Sequence, residues 1–378
     1  MRTSLWLPTL LIGAGIACAV YALAPRLIGR EGAIVFIVPA DNPMSDAKVR
    51  LGRHLFYDRR LSFNDTIACA DCHRQESAFA DPRPQSIGAT GERTPRNSMS
   101  LTNVAYNARF TWANSTIRTL EQQAMVPLMQ EHPLEMGVSR DEPGVMRRFR
   151  SDQRYDALFA AAFPRDVDPF TLGNAVKAIS SFERTLVSLR SPYDRFIAGD
   201  TSAMSASAQR GLQLFQSDRM KCTRCHGGIN FRMTDRHLAD GIDLESVAYH
   251  NIGVYNFPPP LKTLFERPAV GEMTDASLAE GRFKAPTLRN VARTSPYLHD
   301  GSVATLGEVI DIYAAGGRVV ADGPLAGDAR RSPYKSPLVT GFAIAPEEKR
   351  DLIAFLESLT DTAFLTDRNL ANPFADRD

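Results

Sequence analysis

The chain carries the pentapeptide Cys-x-x-Cys-His twice, as Cys69-Ala-Asp-Cys72-His73 and as Cys222-Thr-Arg-Cys225-His226. Two cysteines spaced by two residues can reach the two vinyl groups of one porphyrin, and the adjoining histidine then reaches the iron as proximal ligand. A fold that accepts both motifs must wrap its helices and loops around two flat apolar discs. A single Cys-x-x-Cys also suits a zinc or redox site; two copies, each ending in histidine, favour two covalently bound c-type haems. Of the five cysteines, Cys18 lies in an N-terminal apolar run, so the four motif cysteines exhaust the rest and leave none for a disulfide framework.

That run, Leu5 to Ala24, follows Met1-Arg-Thr-Ser and reads as an export signal with Ala22-Leu-Ala24 at its cleavage site. Pro25 directly after the site disfavours cleavage, and about twenty apolar residues also suffice to span a bilayer. Residues 1–24 are therefore read as a signal peptide or an uncleaved N-terminal anchor. Either way the body of the chain is expected in the periplasm, where c-type haem is attached. A length of 378 residues exceeds the usual single domain, and 44% hydrophobic content supports ample core. A net charge of +1 gives no electrostatic reason to expect nucleic acid or an anionic membrane surface as partner.

The region before each motif repeats. Asp46-Ala-Lys-Val-Arg-Leu-Gly52-Arg-His-Leu-Phe56 is similar to Ala206-Ser-Ala-Gln-Arg-Gly211-Leu-Gln-Leu-Phe215, both with helical apolar spacing and a Gly-x-x-Leu-Phe signature. The expected fold is mainly α, with two cytochrome c-like haem domains in tandem, over residues 40–204 and 205–362, joined and wrapped by long irregular loops. Helical patterns run over Pro143–Phe163 and Pro169–Ser188, and few segments alternate as strands should. A final helix starts with Pro346 at its first position and Glu347 and Glu348 in its first turn, with Leu352, Phe355, Leu356 and Leu359 as its buried face. The stretches Ala80–Thr102 and Phe257–Ala285 are too long for idle connections and are candidates for lining the haems. Only five other histidines exist: His54, His132, His237, His250 and His299. Each is read as structural rather than as an iron ligand.

Together with Leu120-Glu-Gln-Gln-Ala and Phe283-Lys-Ala-Pro-Thr-Leu-Arg-Asn-Val-Ala-Arg-Thr-Ser-Pro-Tyr-Leu-His-Asp-Gly301, the two motifs resemble the bacterial di-haem cytochrome c peroxidase/MauG family, over nearly all of residues 40–360. The resemblance implies that His73 is the proximal ligand of a haem that reacts with hydrogen peroxide and His226 that of a low-spin relay haem. It implies Trp112 as the bridge between them, Glu135 as the distal acid, and Gln123 and Pro127 as its pocket neighbours. It also implies a calcium ion held by Asn97, Thr294 and Pro296, the last two through carbonyl oxygens, which suit a hard cation.

Two departures select a branch. The usual peroxidases of the family place a methionine fourteen residues after the His-Asp-Gly histidine, whereas the corresponding position after His299 is Tyr313. A phenolate stabilises high-valent iron where a thioether favours the reduced state, and tyrosine here is similar to the MauG branch, which makes Tyr313 the second axial ligand of the relay haem. Residues 74–131 contain no histidine that could close the first iron. The resemblance then implies that the diferric protein reacts with peroxide directly and shares the two oxidising equivalents between the irons as a bis-Fe(IV) state. MauG itself places a tryptophan two residues before its second haem cysteine; Met220 stands there in this chain, so the aromatic residue oxidised, such as a tryptophan, would belong to a different secreted or periplasmic partner. Two alternatives stay open: a peroxidase fed by a small cytochrome or cupredoxin, and a non-enzymatic electron carrier.

Overall fold

In the computed structural model, residues 38–233, 249–256, 281–323 and 325–375 are described. The apolar run at residues 5–24, Cys18, His237 and nearly all of Phe257–Ala285 lie outside them. Among the described residues no helix is long and apolar enough to cross a membrane.

Eight helices carry most of the packing. Helix α1 (Asp46–Tyr57) is followed by the first haem motif, whose Cys69–Cys72 forms a single helical turn. Helices α2 (Leu120–Met129), α3 (Glu142–Arg150), α4 (Gln153–Ala162) and α5 (Leu172–Glu183) complete the first half. Helix α6 (Ala206–Gln216) precedes the second motif, and α7 (Leu306–Ala315) and α8 (Pro346–Glu357) follow it. Strand structure among the described residues is confined to two antiparallel pairs of two-residue strands, β1 (Tyr249–His250) with β2 (Phe283–Lys284) and β3 (Val319–Val320) with β4 (Gly327–Asp328).

The sequence repeat is a structural repeat. Ser45 and Ser205 cap α1 and α6 in the same way, each hydroxyl accepting from the backbone N–H three residues on. Helix α1 then crosses α5 at Gly52, and α6 crosses α8 at Gly211. A Cβ at Gly52 would stand 1.9 Å from the Ala178 carbonyl oxygen, and one at Gly211 would stand 1.9 Å from that of Asp351. Only glycine admits backbone this close. One turn further along, Phe56 meets Phe182 at 5.2 Å between ring centroids and Phe215 meets Phe355 at 5.0 Å, the offset edge contacts that aromatic rings prefer. The Gly-x-x-Leu-Phe signature is thus one helix-crossing device used twice, each time on the run into a haem motif.

Buried apolar residues fall into two main clusters. One gathers Leu51, Phe56, Phe79, Phe149, Phe159 and Phe182 with neighbours. The other gathers Tyr193, Phe215, Phe231, Ile310, Leu352 and Phe355. Phe364, Leu365 and Leu370, which follow the second cluster in sequence, pack into the first. The Tyr57 hydroxyl donates to the Leu370 carbonyl at 2.8 Å, Arg53 Nε to that of Ala371 at 2.7 Å, and Gln75 Nε2 to that of Asp367 at 2.9 Å.

The final helix matches its expectation: Pro346 opens α8 and Leu352, Phe355, Leu356 and Leu359 are buried. Two helical readings are corrected. Pro143–Phe163 is two helices, because Asp152 turns its carboxylate back on the Arg154 N–H at 2.9 Å and so starts α4 anew after α3 ends. The pattern over Pro169–Ser188 is helical only from Leu172 to Glu183, with Thr171 Oγ1 capping Asn174 N–H.

Candidate functional site

Each haem motif opens onto a cavity. The second and larger encloses about 1390 Å³ of empty space, its solvent-open part included, and is lined by Cys222, Cys225, His226 and Tyr313. The first encloses about 930 Å³, measured likewise, and is lined by His73, Asn97, Gln123, Pro127 and Glu135. Trp112 lines both.

The histidines of the two motifs are held in the same way. His73 Nδ1 lies 2.9 Å from the Phe79 carbonyl oxygen, and His226 Nδ1 lies 3.1 Å from that of Phe231. A carbonyl only accepts, so Nδ1 carries the proton in each ring and Nε2 carries the lone pair that an iron needs. Both phenylalanines sit in the left-handed region, at φ 58° and 51°, a conformation that costs a side-chain-bearing residue free energy and that here aims a carbonyl at the motif histidine. Burial lowers the pKa of His73 and brings that of His226 down to about 4, and so keeps both imidazoles neutral. Burial also pushes the thiols up, to about 12 at Cys72 and Cys222 and about 11 at Cys225. All four motif cysteines are unpaired, and no group of three or more His, Cys, Asp or Glu among the described residues could hold a metal ion by itself. This donor set suits thioether attachment to a porphyrin, with a neutral imidazole on the iron, and does not suit a zinc site.

Tyr313 reaches the second cavity through helical spacing. Leu306, Val309, Ile310 and Tyr313 form one stripe of α7, and all four line the cavity with His226. Burial raises the phenol pKa, with the nearby Cys225 and Cys222 adding to the effect. The hydroxyl therefore stays protonated until a cation draws the charge out.

The three pocket residues inferred for the first haem converge. Gln123, Val126 and Pro127 form the cavity-facing stripe of α2, and Gln130, directly after the helix, lines the same cavity. Pro127 offers no N–H to the Gln123 carbonyl four residues back, while its own carbonyl accepts from Met136 N–H at 2.9 Å. Ala89 N–H donates to the Glu135 carbonyl at 2.7 Å. The peptide unit that follows Glu135 is thus held at both ends, by Ala89 at its carbonyl and by the helix that carries Gln123 and Pro127 at its N–H.

Asn97 meets the 294–299 segment through its backbone N–H, which donates to the His299 carbonyl at 2.9 Å. Its Nδ2 donates to the Arg83 and Asp81 carbonyls at 2.8 and 3.2 Å, and its own carbonyl accepts the Trp112 indole N–H at 2.8 Å. Thr294 Oγ1 donates to the Val291 carbonyl at 3.1 Å. Thr294 and Pro296 flank Ser295 in the same loop.

Sequence reasoning missed other cavity residues. His250 and His299, read there as structural, line the second cavity, and His299 lies stacked on Phe283 at 3.7 Å. Lys284, only 2% exposed, lines both cavities. Its signal is visible in retrospect: a lone lysine among Phe283, Ala285, Pro286 and Leu288.

The model of the family described as di-haem cytochrome c peroxidase (CCP_MauG) matches residues 46–202. The methylamine utilization protein MauG of Methylorubrum extorquens is 33% identical over 321 residues, which cover 85% of this chain and 80% of that protein. The chain belongs to the di-haem cytochrome c peroxidase/MauG family. It is accordingly an oxidoreductase of the kind that acts on hydrogen peroxide, and its mainly helical fold is that of the family's tandem cytochrome c-like domains. Cytochrome-c peroxidase IdrP1 of Denitromonas iodatirespirans is 34% identical over 352 residues, 86% of this chain and 84% of that protein. A solved MauG-like protein associated with microbial copper homeostasis superposes with a TM-score of 0.82 at 41% identity, over 90% of this chain and 96% of that one. The MauG and peroxidase relatives are similar in identity, so the branch has to be argued from the site.

Proposed function

We propose that this is an exported, MauG-like di-haem enzyme that uses hydrogen peroxide to oxidise an aromatic residue, such as tryptophan, of a partner protein. The observation that carries the reading is the stripe Leu306, Val309, Ile310 and Tyr313, which lines the cavity of His226 with a tyrosine at the position where the usual peroxidases have a methionine. The 41% identity to a solved protein titled MauG-like supports it.

Haem held at His73 would supply the chemistry that activates peroxide, and haem held at His226 would supply a second redox centre. Glu135 would take a proton from one oxygen of peroxide and deliver it to the departing one. Gln123 and Pro127 shape the space in which that transfer occurs. Trp112, its indole N–H tied to the Asn97 carbonyl, carries electrons between the cavities without changing position. The balance closes when two electrons leave the partner's side chain and, with two protons, reduce one peroxide to two waters. The second reading, a peroxidase fed by a small cytochrome or cupredoxin, draws on the 34% identity to a cytochrome-c peroxidase.

Stoichiometric peroxide added to the diferric protein separates the two. The MauG-like reading expects a lasting oxidised species with a near-infrared charge-resonance band, and expects Tyr313→Met to change the ligation spectrum of the second haem. An unchanged spectrum in that variant points to another ligand, such as His250, and refutes the tyrosine assignment. Rapid turnover with reduced cytochrome c and no mass change in any partner establishes the peroxidase reading instead.

Calcium at Asn97, Thr294 and Pro296 is part of the same proposal. Its support is the orientation of the Asn97 amide, whose nitrogen is committed to two carbonyls, so that Oδ1 is its remaining donor to a cation. With only neutral oxygens named, water must fill the remaining positions and affinity will be modest. A chelator is expected to perturb the haem spectra reversibly on calcium return; absence of metal from the purified protein by elemental analysis rules the site out.

A further inference from the structure

Two residues among those described line both cavities: Trp112, already placed as the bridge, and Lys284. They are held together by the backbone, Lys284 N–H donating to the Trp112 carbonyl at 2.7 Å. The ammonium folds back over the same loop, with Nζ donating to the Arg109 carbonyl at 3.2 Å. Pairing of Lys284 with Tyr249 across β1 and β2 fixes the lysine from the other side. A lysine side chain is therefore placed, almost fully buried, where the two cavities adjoin, and its partner at Arg109 is a carbonyl oxygen that favours the ammonium form. Arg96 is also buried nearby, its guanidinium 5.6 Å from the Phe283 ring centre, but it lines the first cavity alone.

A buried cation acts at short range through a weakly screening medium. It makes every neighbouring group harder to oxidise, because loss of an electron adds positive charge beside it. Trp112 is especially sensitive. Its Nε1–H donates to the Asn97 carbonyl at 2.8 Å, and an amide oxygen is no base, so an indole that gives up one electron keeps its proton and becomes a cation in the same cavity walls as the Lys284 ammonium. Trp112 therefore passes electrons through and does not itself hold the oxidising equivalent.

We propose that Lys284 is the positioning charge of this junction: it raises the reduction potentials of both haems together and keeps the oxidising equivalent off Trp112, which protects the bridge from its own chemistry. The proposal rests on the di-haem reading above.

The test uses the full haem-loaded protein. Both haem potentials are titrated in the wild type and in Lys284→Gln, Lys284→Met and Lys284→Arg. The glutamine variant keeps a donor for the Arg109 carbonyl, and the methionine variant is a second neutral form should the first fail to load haem. Expected is a fall of both midpoints in the neutral variants and near wild-type values in Lys284→Arg. After stoichiometric peroxide without partner, mass spectrometry of the Trp112 peptide is expected to show oxygen addition several-fold faster in the neutral variants. A purely structural role changes haem content or melting without moving both midpoints the same way. Midpoints that stay put, or only one that moves, overturn the proposal. A wild-type protein that lacks two haems by haemochrome assay overturns the di-haem reading itself, whereas two haems with unaltered potentials in the variants overturn only the role of Lys284.

Discussion

Glu135→Gln is expected to slow the reaction of the diferric protein with hydrogen peroxide by about 10² to 10⁴, the range that a positioned general acid–base contributes. Both haems should remain in place. The argument is geometric. The Glu135 backbone is clamped by Ala89 and followed directly by the Met136 contact to Pro127, so its side chain reaches the first cavity from a fixed origin, facing the α2 stripe that carries Gln123. Glutamine has nearly the same shape and keeps the packing. What it lacks is an oxygen that can take a proton from one peroxide oxygen and give it to the other. Stopped-flow absorbance at the Soret band reads the rate directly, and a loss smaller than about tenfold would falsify the assignment of Glu135 as the proton carrier.

Trp112→Phe should separate the two haems without silencing the first. Peroxide still reaches His73's cavity, and the proton transfer by Glu135 is untouched. Oxidation of the partner should fall to background, and the second haem should show no spectral response. Phenylalanine fills most of the same apolar space but is far harder to oxidise than an indole. It also leaves the Asn97 carbonyl without the N–H that it now accepts at 2.8 Å. Leaving that acceptor unsatisfied costs on the order of 1–3 kcal/mol, so melting is measured alongside. If the folded variant modifies its partner at a rate close to that of the wild type, the route between the haems lies elsewhere.

What the sequence made legible was the part of the site encoded over short spans. Each Cys-x-x-Cys-His fixes its own chemistry locally, and Gly52 and Gly211 mark their helix crossings because nothing larger fits there. Tyr313 was singled out through the resemblance to the family, by its distance from His299, and the helix that carries it brings it to the second cavity. The break between α3 and α4 was not legible, since the apolar pattern continues through Asp152 and one side-chain cap decides the matter. His250, His299 and Lys284 were missed for a third reason. His250 and Lys284 come to the second cavity through the pairing of β1 with β2, two-residue strands more than thirty positions apart, and the pairing has no local signature. His299 is held there by its stack on Phe283, a contact equally invisible along the chain.

The return of residues 364–371 onto the first core bears on the order of assembly. Phe364 closes against Phe79, at 5.6 Å between ring centres, and Phe79 is the residue whose carbonyl orients His73. In synthesis from the N-terminus the early half is made well before this segment, so that face of the first core lacks its cover until the last residues follow. A chain shortened before residue 364 is therefore expected to leave Phe79, and with it the carbonyl behind His73, uncovered on one side.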